Sequence, residues 1–184
     1  QYRRITLHDG RALVDMKAQA SRGDALFLTL NAVPDANQLD LGLTLNTPQN
    51  GLIGHMLGTR APLLLRVNGA GDWQRWTGQL TAQLAGQPAA ALSLEAKSGR
   101  YALAGRVMAT ALPTGRWRAL AAPYFAVQGA ARFANRRLAG DVRVTAPALR
   151  LTAQGDLNLA NSSYQDVLIT ADVARPDLFG PGIA

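Results

Sequence analysis

Cysteine is absent from this 184-residue chain, which excludes a disulfide framework and a thiolate metal site together. Histidine is nearly absent. His8 stands in a His-Asp-Gly turn and His55 in a short apolar stretch. No Ser/His/Asp arrangement, metal-ligand spacing or phosphate-cradling glycine loop accompanies either. An enzyme, a metal and a cofactor are therefore not expected. His8 with Asp9 reads as a turn pair, and Asn161-Ser162-Ser163, despite its glycosylation-like spacing, reads as a loop. Aromatic residues make up only 6%. That is too few for a base-stacking surface, and too few for the two aromatic girdles of an outer-membrane barrel.

Long charge-free runs do occur, at 41–59 and 76–94, and each has nominally the length to cross a bilayer as a helix. Neither fits. The first carries Asn46-Thr47-Pro48-Gln49-Asn50 at its centre, and the second interleaves its leucines with Gln79, Thr81, Gln83 and Gln87. The chain opens at Gln1 with no charged-then-apolar leader and closes on Gly180-Pro181-Gly182-Ile183-Ala184. It reads as one domain, an excised segment of something longer, with interruptions near 47–60 and 110–122.

Acidic charge is scarce beside basic charge: nineteen Lys and Arg against twelve Asp and Glu leave a net +7. Such a balance suits an anionic partner, but the distribution argues against nucleic acid. The basic residues are scattered along strands and turns. Their tightest groups are Arg3-Arg4, Arg136-Arg137 and Arg116-Trp117-Arg118. They read as a solvated outer face with a bias toward anionic lipid headgroups.

What the chain has in abundance is alternation. Leu39, Leu41, Leu43 and Leu45 take every second position of one segment, and the same period of two returns along nearly the whole chain. Side chains of an extended strand point to opposite faces in turn, so the pattern describes sheet with one apolar and one wet face. Strands are predicted at 2–8, 11–20, 24–33, 37–46, 61–70, 76–86, 89–97, 100–110, 123–134, 136–146, 147–160 and 164–174. The inward sets begin with Val14, Met16 and Ala18, then Leu26, Leu28 and Leu30, then Leu39, Leu41, Leu43 and Leu45. They continue through Leu63, Leu65 and Val67, then Leu80, Ala82 and Leu84, then Leu92, Leu94 and Ala96. The later sets are Leu103, Gly105 and Val107; Phe125, Val127, Ala131 and Phe133; Leu138, Val142 and Val144; Leu149, Leu151, Leu157 and Leu159; and Val167, Ile169 and Val173.

Short connections such as His8-Asp9-Gly10-Arg11, Ser21-Arg22-Gly23-Asp24, Lys97-Ser98-Gly99 and Asn135-Arg136 are rich in turn formers, so consecutive strands should pair as an antiparallel meander. Two segments break the rhythm. Gln49–Leu57 places Leu52, Ile53, Met56 and Leu57 on one helical face, and Pro113–Ala122 suits a second short helix. Both look like plugs or caps, too short to cover the sheet. Leu103-Ala104-Gly105-Arg106-Val107 recurs as Leu138-Ala139-Gly140-Asp141-Val142, and Leu80-Thr81-Ala82-Gln83 as Leu151-Thr152-Ala153-Gln154. Glycines at inward positions, Gly105, Gly129, Gly140 and Gly155, permit bending or close approach.

A dozen such strands with no covering helices must hide one face in a closed barrel, a two-layer sandwich or a trough. A single meander would run on the order of 55 Å across its strands. The inner face is mostly Leu, Val and Ala, which leaves an open channel more readily than large aromatics do.

The residues also resemble a known family. The alternating strands, the stretch Gly69–Leu80 (Gly-Ala-Gly-Asp-Trp-Gln-Arg-Trp-Thr-Gly-Gln-Leu) after Pro62-Leu63-Leu64-Leu65-Arg66-Val67, and the Ala111-Leu112-Pro113 break are similar to the repetitive periplasmic portion of the TamB family, in the AsmA-like superfamily. The similarity spans most of the chain and lies in pattern and short motifs. It implies an all-β fold, a long meander folded into a β-taco groove with a hydrophobic interior. It also implies phospholipid in that groove and conduction of lipid between inner and outer membranes. Members of the family are linked, with a BamA-like outer-membrane partner, TamA, to insertion of autotransporters and other β-barrels. On this resemblance the inward residues from Leu26 to Leu159 are the candidate lining.

Overall fold

The computed structural model describes residues 2–8, 11–20, 22–56, 59–112, 116–158 and 163–174. Nearly all of them are strand: β1 Tyr2–His8, β2 Arg11–Gln19, β3 Ala25–Val33, β4 Gln38–Thr47, β5 Leu63–Gly71, β6 Arg75–Leu84 and β7 Gln87–Lys97, then β8 Arg100–Met108, β9 Tyr124–Ala134, β10 Arg137–Ala146, β11 Leu149–Asn158 and β12 Ser163–Val173. Each boundary lies within two residues of the one read from the alternation. The all-β expectation holds, with two short helices: α1 Leu52–Met56 between β4 and β5, and α2 Arg116–Ala121 between β8 and β9.

The chain divides into two compact units, Gln1–Ser98 with β1 to β7 and Gly99–Ala184 with β8 to β12. In the first unit the strands lie in sequence order and every neighbouring pair is antiparallel. The second unit follows the same rule. Each is a meander with a linear strand order. The described residues of the charge-free stretches are strand, turn and short helix, and no helix among the described residues is long and apolar enough to cross a membrane.

Local chemistry sets the turns. β6 meets β7 at Ala85-Gly86, with φ of 52° and 76°, and β9 meets β10 at Asn135-Arg136, with φ of 52° and 59°. Two left-handed central residues make the hairpin turn whose twist matches that of the strands. Asn suits this conformation and Arg does not, since its Cβ crowds the carbonyl at a cost of about 1–2 kcal/mol. Arg136→Gly is therefore expected to stabilise the second unit by about 1 kcal/mol, seen as a higher denaturant midpoint at unchanged slope. Where β6 and β7 slip register between Ala82 and Gln83, Ala89 is the residue left over and Pro88 stands next to it, opposite Gln83, a place beside a bulge that proline tolerates.

The buried core is thin. Among the described residues the buried apolar side chains are Ala25, Ala32, Leu63, Ala89, Ala109, Leu120, Ala121 and Ala148, so only two leucines are removed from water. The leucine rows are instead half-buried, and on β6 to β8 the other face is largely exposed, while β4 is half-buried on both faces from Leu39 to Leu45. In β6 the two states alternate at every residue from Arg75 to Leu84.

Candidate functional site

Residues paired across an antiparallel ladder share a face, so the register shows which side chains assemble. In the first unit Met16 pairs with Leu28, Leu28 with Leu43, Leu43 with Val67, Val67 with Leu80, and Leu80 with Leu92. An unbroken apolar row thus crosses six strands. On one side of it runs Ala18, Leu26, Leu45, Leu65, Ala82 and Ala90; on the other runs Val14, Leu30, Leu41, Gly69, Gly78 and Leu94. Leu39 lies in the next row, between Ala32 and Gly71, and Leu63 and Leu84 close the opposite end beside Thr47. Every inward residue read from the first unit's β2 to β7 falls on this one face.

The second unit repeats the arrangement. Gly105, Val127, Val144 and Leu151 form one row, Leu103, Gly129, Val142 and Ala153 the next, and Phe133, Leu138 and Leu157 another. Val107 pairs with Phe125, and Leu149 with Ala146 and Val173. The four inward glycines lie on this face, with Gly140 directly opposite Gly155. Leu159, the Asp9-Gly10 turn and Asn161-Ser162 lie outside the described residues.

These side chains are neither packed away nor isolated. Apart from the buried Leu63 and the exposed Phe133 and Val142, each described lining residue is half-buried. In the first unit six strands at about 4.8 Å spacing and about 30 Å length make an apolar face on the order of 900 Å². Half-burial leaves part of that face to water along rows that run unbroken across six strands.

A short helix stands at one end of each face. In the first unit Asp24 and Thr47 are buried there, and Asp24 Oδ2 accepts the Leu52 N–H at 2.7 Å, capping α1 from the threshold of β3. A Cβ at Gly51 would stand 2.6 Å from both Asp24 Oδ1 and Thr47 Cγ2. Only glycine lets the helix sit that close. In the second unit Leu120 of α2 is fully buried, while Arg118 donates from Nε to the Leu112 carbonyl at 3.1 Å and from Nη2 to Thr110 at 3.2 Å.

One lining residue escaped the sequence reading. Trp76 stands near a break in the chain, yet it belongs to β6 and its indole lies against Gly69 and Gly78, where a Cβ would collide with the ring. The signal was present as Gly-Ala-Gly and Trp-Thr-Gly on adjacent strands, but only the register sets the glycines opposite each other. An aromatic ring laid over paired glycines restores the apolar contact that the missing side chains forgo. The opposite face of each unit is polar, with Lys17 over Phe27 at 5.1 Å in the first and Arg106 over Tyr124 at 4.9 Å in the second. Among the described residues no three His, Asp or Glu side chains gather as a metal site. The chain matches no protein-family model, no curated protein and no solved structure.

Proposed function

We propose that this chain is a non-enzymatic carrier surface for phospholipid acyl chains, conducting them between the inner and outer membranes of a Gram-negative bacterium. The observation that carries the reading is the broad apolar face left half-exposed in each unit, crossed by continuous rows such as Met16, Leu28, Leu43, Val67, Leu80 and Leu92. Exposing about thirty methylenes of lipid tail to water costs on the order of 25 kcal/mol, which makes unaided transfer prohibitively slow. An apolar row replaces water along the route, and a shallow, unspecific surface allows release as readily as uptake. In this reading the chain works in the periplasm as part of a protein anchored in the inner membrane. Its occupants are phospholipid or detergent, its partner is an outer-membrane BamA-like protein of the TamA kind, and nucleic acid has no part.

Photo-crosslinking tests the parity. Leu41 and Leu43 lie on the apolar face of β4, while Asp40 and Thr44 pair with Asn31 and Phe27 on the other. Probes at the two leucines are expected to capture lipid and probes at Asp40 and Thr44 are not. Equal labelling at all four positions would contradict a one-sided carrier.

A second reading rests on β12. Val167, Leu168 and Ile169 are 58%, 54% and 63% exposed, three consecutive apolar residues on a strand that among the described residues pairs with β11 alone. Such an edge suits a scaffold that pairs with strands of an assembling outer-membrane β-barrel.

A further inference from the structure

The polar face of the second unit carries more arginine than its fold uses. Arg100, Arg106, Arg132, Arg137, Arg143 and Arg150 all lie on it and are exposed, against Asp141, Asp156 and Asp172. Arg100 pairs directly with Arg132 across the ladder. Like charges in direct opposition destabilise a sheet. Arg150 faces Asp172 across the ladder and Asp141 lies diagonally from Arg132, yet six arginines against three aspartates leave this face with a surplus of positive charge. Between the arginines lie Ala102, Ala130 and Ala139, which keep the floor low and leave the guanidinium groups standing above it.

We propose that this face docks on an anionic phospholipid surface. The surplus of positive charge supplies the complementarity, and the shape selects the occupant. The six arginines are spread over four adjacent strands at about 4.8 Å spacing, an array broader than one small anion would need. Guanidinium groups take phosphate oxygens two at a time, so opposed arginines such as Arg100 and Arg132 can share a headgroup phosphate whose charge relieves their repulsion. The inference is independent of the apolar faces, because it concerns the opposite side of the sheet and a headgroup instead of a tail.

The test is vesicle co-sedimentation of the whole chain with phosphatidylcholine alone and with phosphatidylcholine containing phosphatidylglycerol, at low and high salt. Binding is expected to be markedly tighter with the anionic lipid, and that excess is expected to fall as salt screens the charges. Each arginine near an anionic surface contributes about fivefold, so Arg100→Gln, Arg132→Gln and Arg143→Gln together should weaken binding about a hundredfold. Arg132→Gln alone should leave the denaturant midpoint unchanged or higher. A residue with a merely structural role would lower it. Equal sedimentation with neutral vesicles, or unaltered binding by the triple variant, would overturn the proposal. So would equally tight, equally arginine-dependent binding of a short DNA duplex at the same salt, which would mark the face as a general polyanion binder.

Discussion

Leu43→Arg is expected to leave the chain folded and to cut its capture of lipid by about tenfold or more. Leu43 sits in the middle of the apolar row, flanked by Leu28 and Val67, and is half-buried. On a face open to water the long arginine stem can lie along its apolar neighbours and lift the guanidinium into solvent, so the fold loses little. In a closed, dry interior the same change would bury an unpaired charge and unfold the unit. Lipid tails crossing the row meet the charge either way. Circular dichroism beside mass spectrometry of co-purified lipid reads both consequences, with an outer-membrane integrity assay for the parent protein. A folded variant that still delivers lipid normally would sink the carrier reading and leave strand pairing through β12 as the better account.

Truncating leucines should expose an asymmetry that an ordinary globular core lacks. Leu120→Ala removes a side chain that is 0% exposed and is expected to cost about 2–5 kcal/mol, since the cavity adds to the lost transfer energy. Leu43→Ala starts from a half-exposed side chain and should cost about 1 kcal/mol, the share of a leucine's burial that the face supplies. Urea unfolding of the two variants measures the difference. Equal costs would mean that the leucine rows are a packed core, with no room for a ligand. A small cost at Leu43 combined with a large loss of lipid separates binding from folding.

Much of this was legible because a period of two is a local property. The alternation alone located all twelve strands and sorted their residues into two faces, since each side chain's direction follows from its neighbours along the chain. The short helix within Gln49–Leu57 was legible for a similar reason, since spacing at three and four residues is also local, while the one within Pro113–Ala122 was marked by the break in alternation. Hairpin chemistry was legible at Asn135 and less so at Arg136, whose left-handed φ of 59° no rule of composition would assign.

Register belongs to pairs of strands, and no single strand encodes it. Which leucine stands beside which, and therefore whether the apolar residues form continuous rows or scattered patches, was decided by the ladder from β2 to β7. The same ladder laid Trp76 over Gly69 and Gly78, and in the second unit the pairing of β8 with β9 set Arg100 against Arg132. Asp24 reaches Leu52 across 28 residues, and Leu120 becomes the most deeply buried leucine although it lies in a six-residue helix flanked by alanine. The sequence by itself determined the strands, their faces and the excess of basic charge, because backbone geometry and composition are local or additive. The tertiary structure alone decided the apolar rows, the helix seated over Asp24 and the opposed arginines, because each is a meeting of residues that pairing brings together from distant parts of the chain.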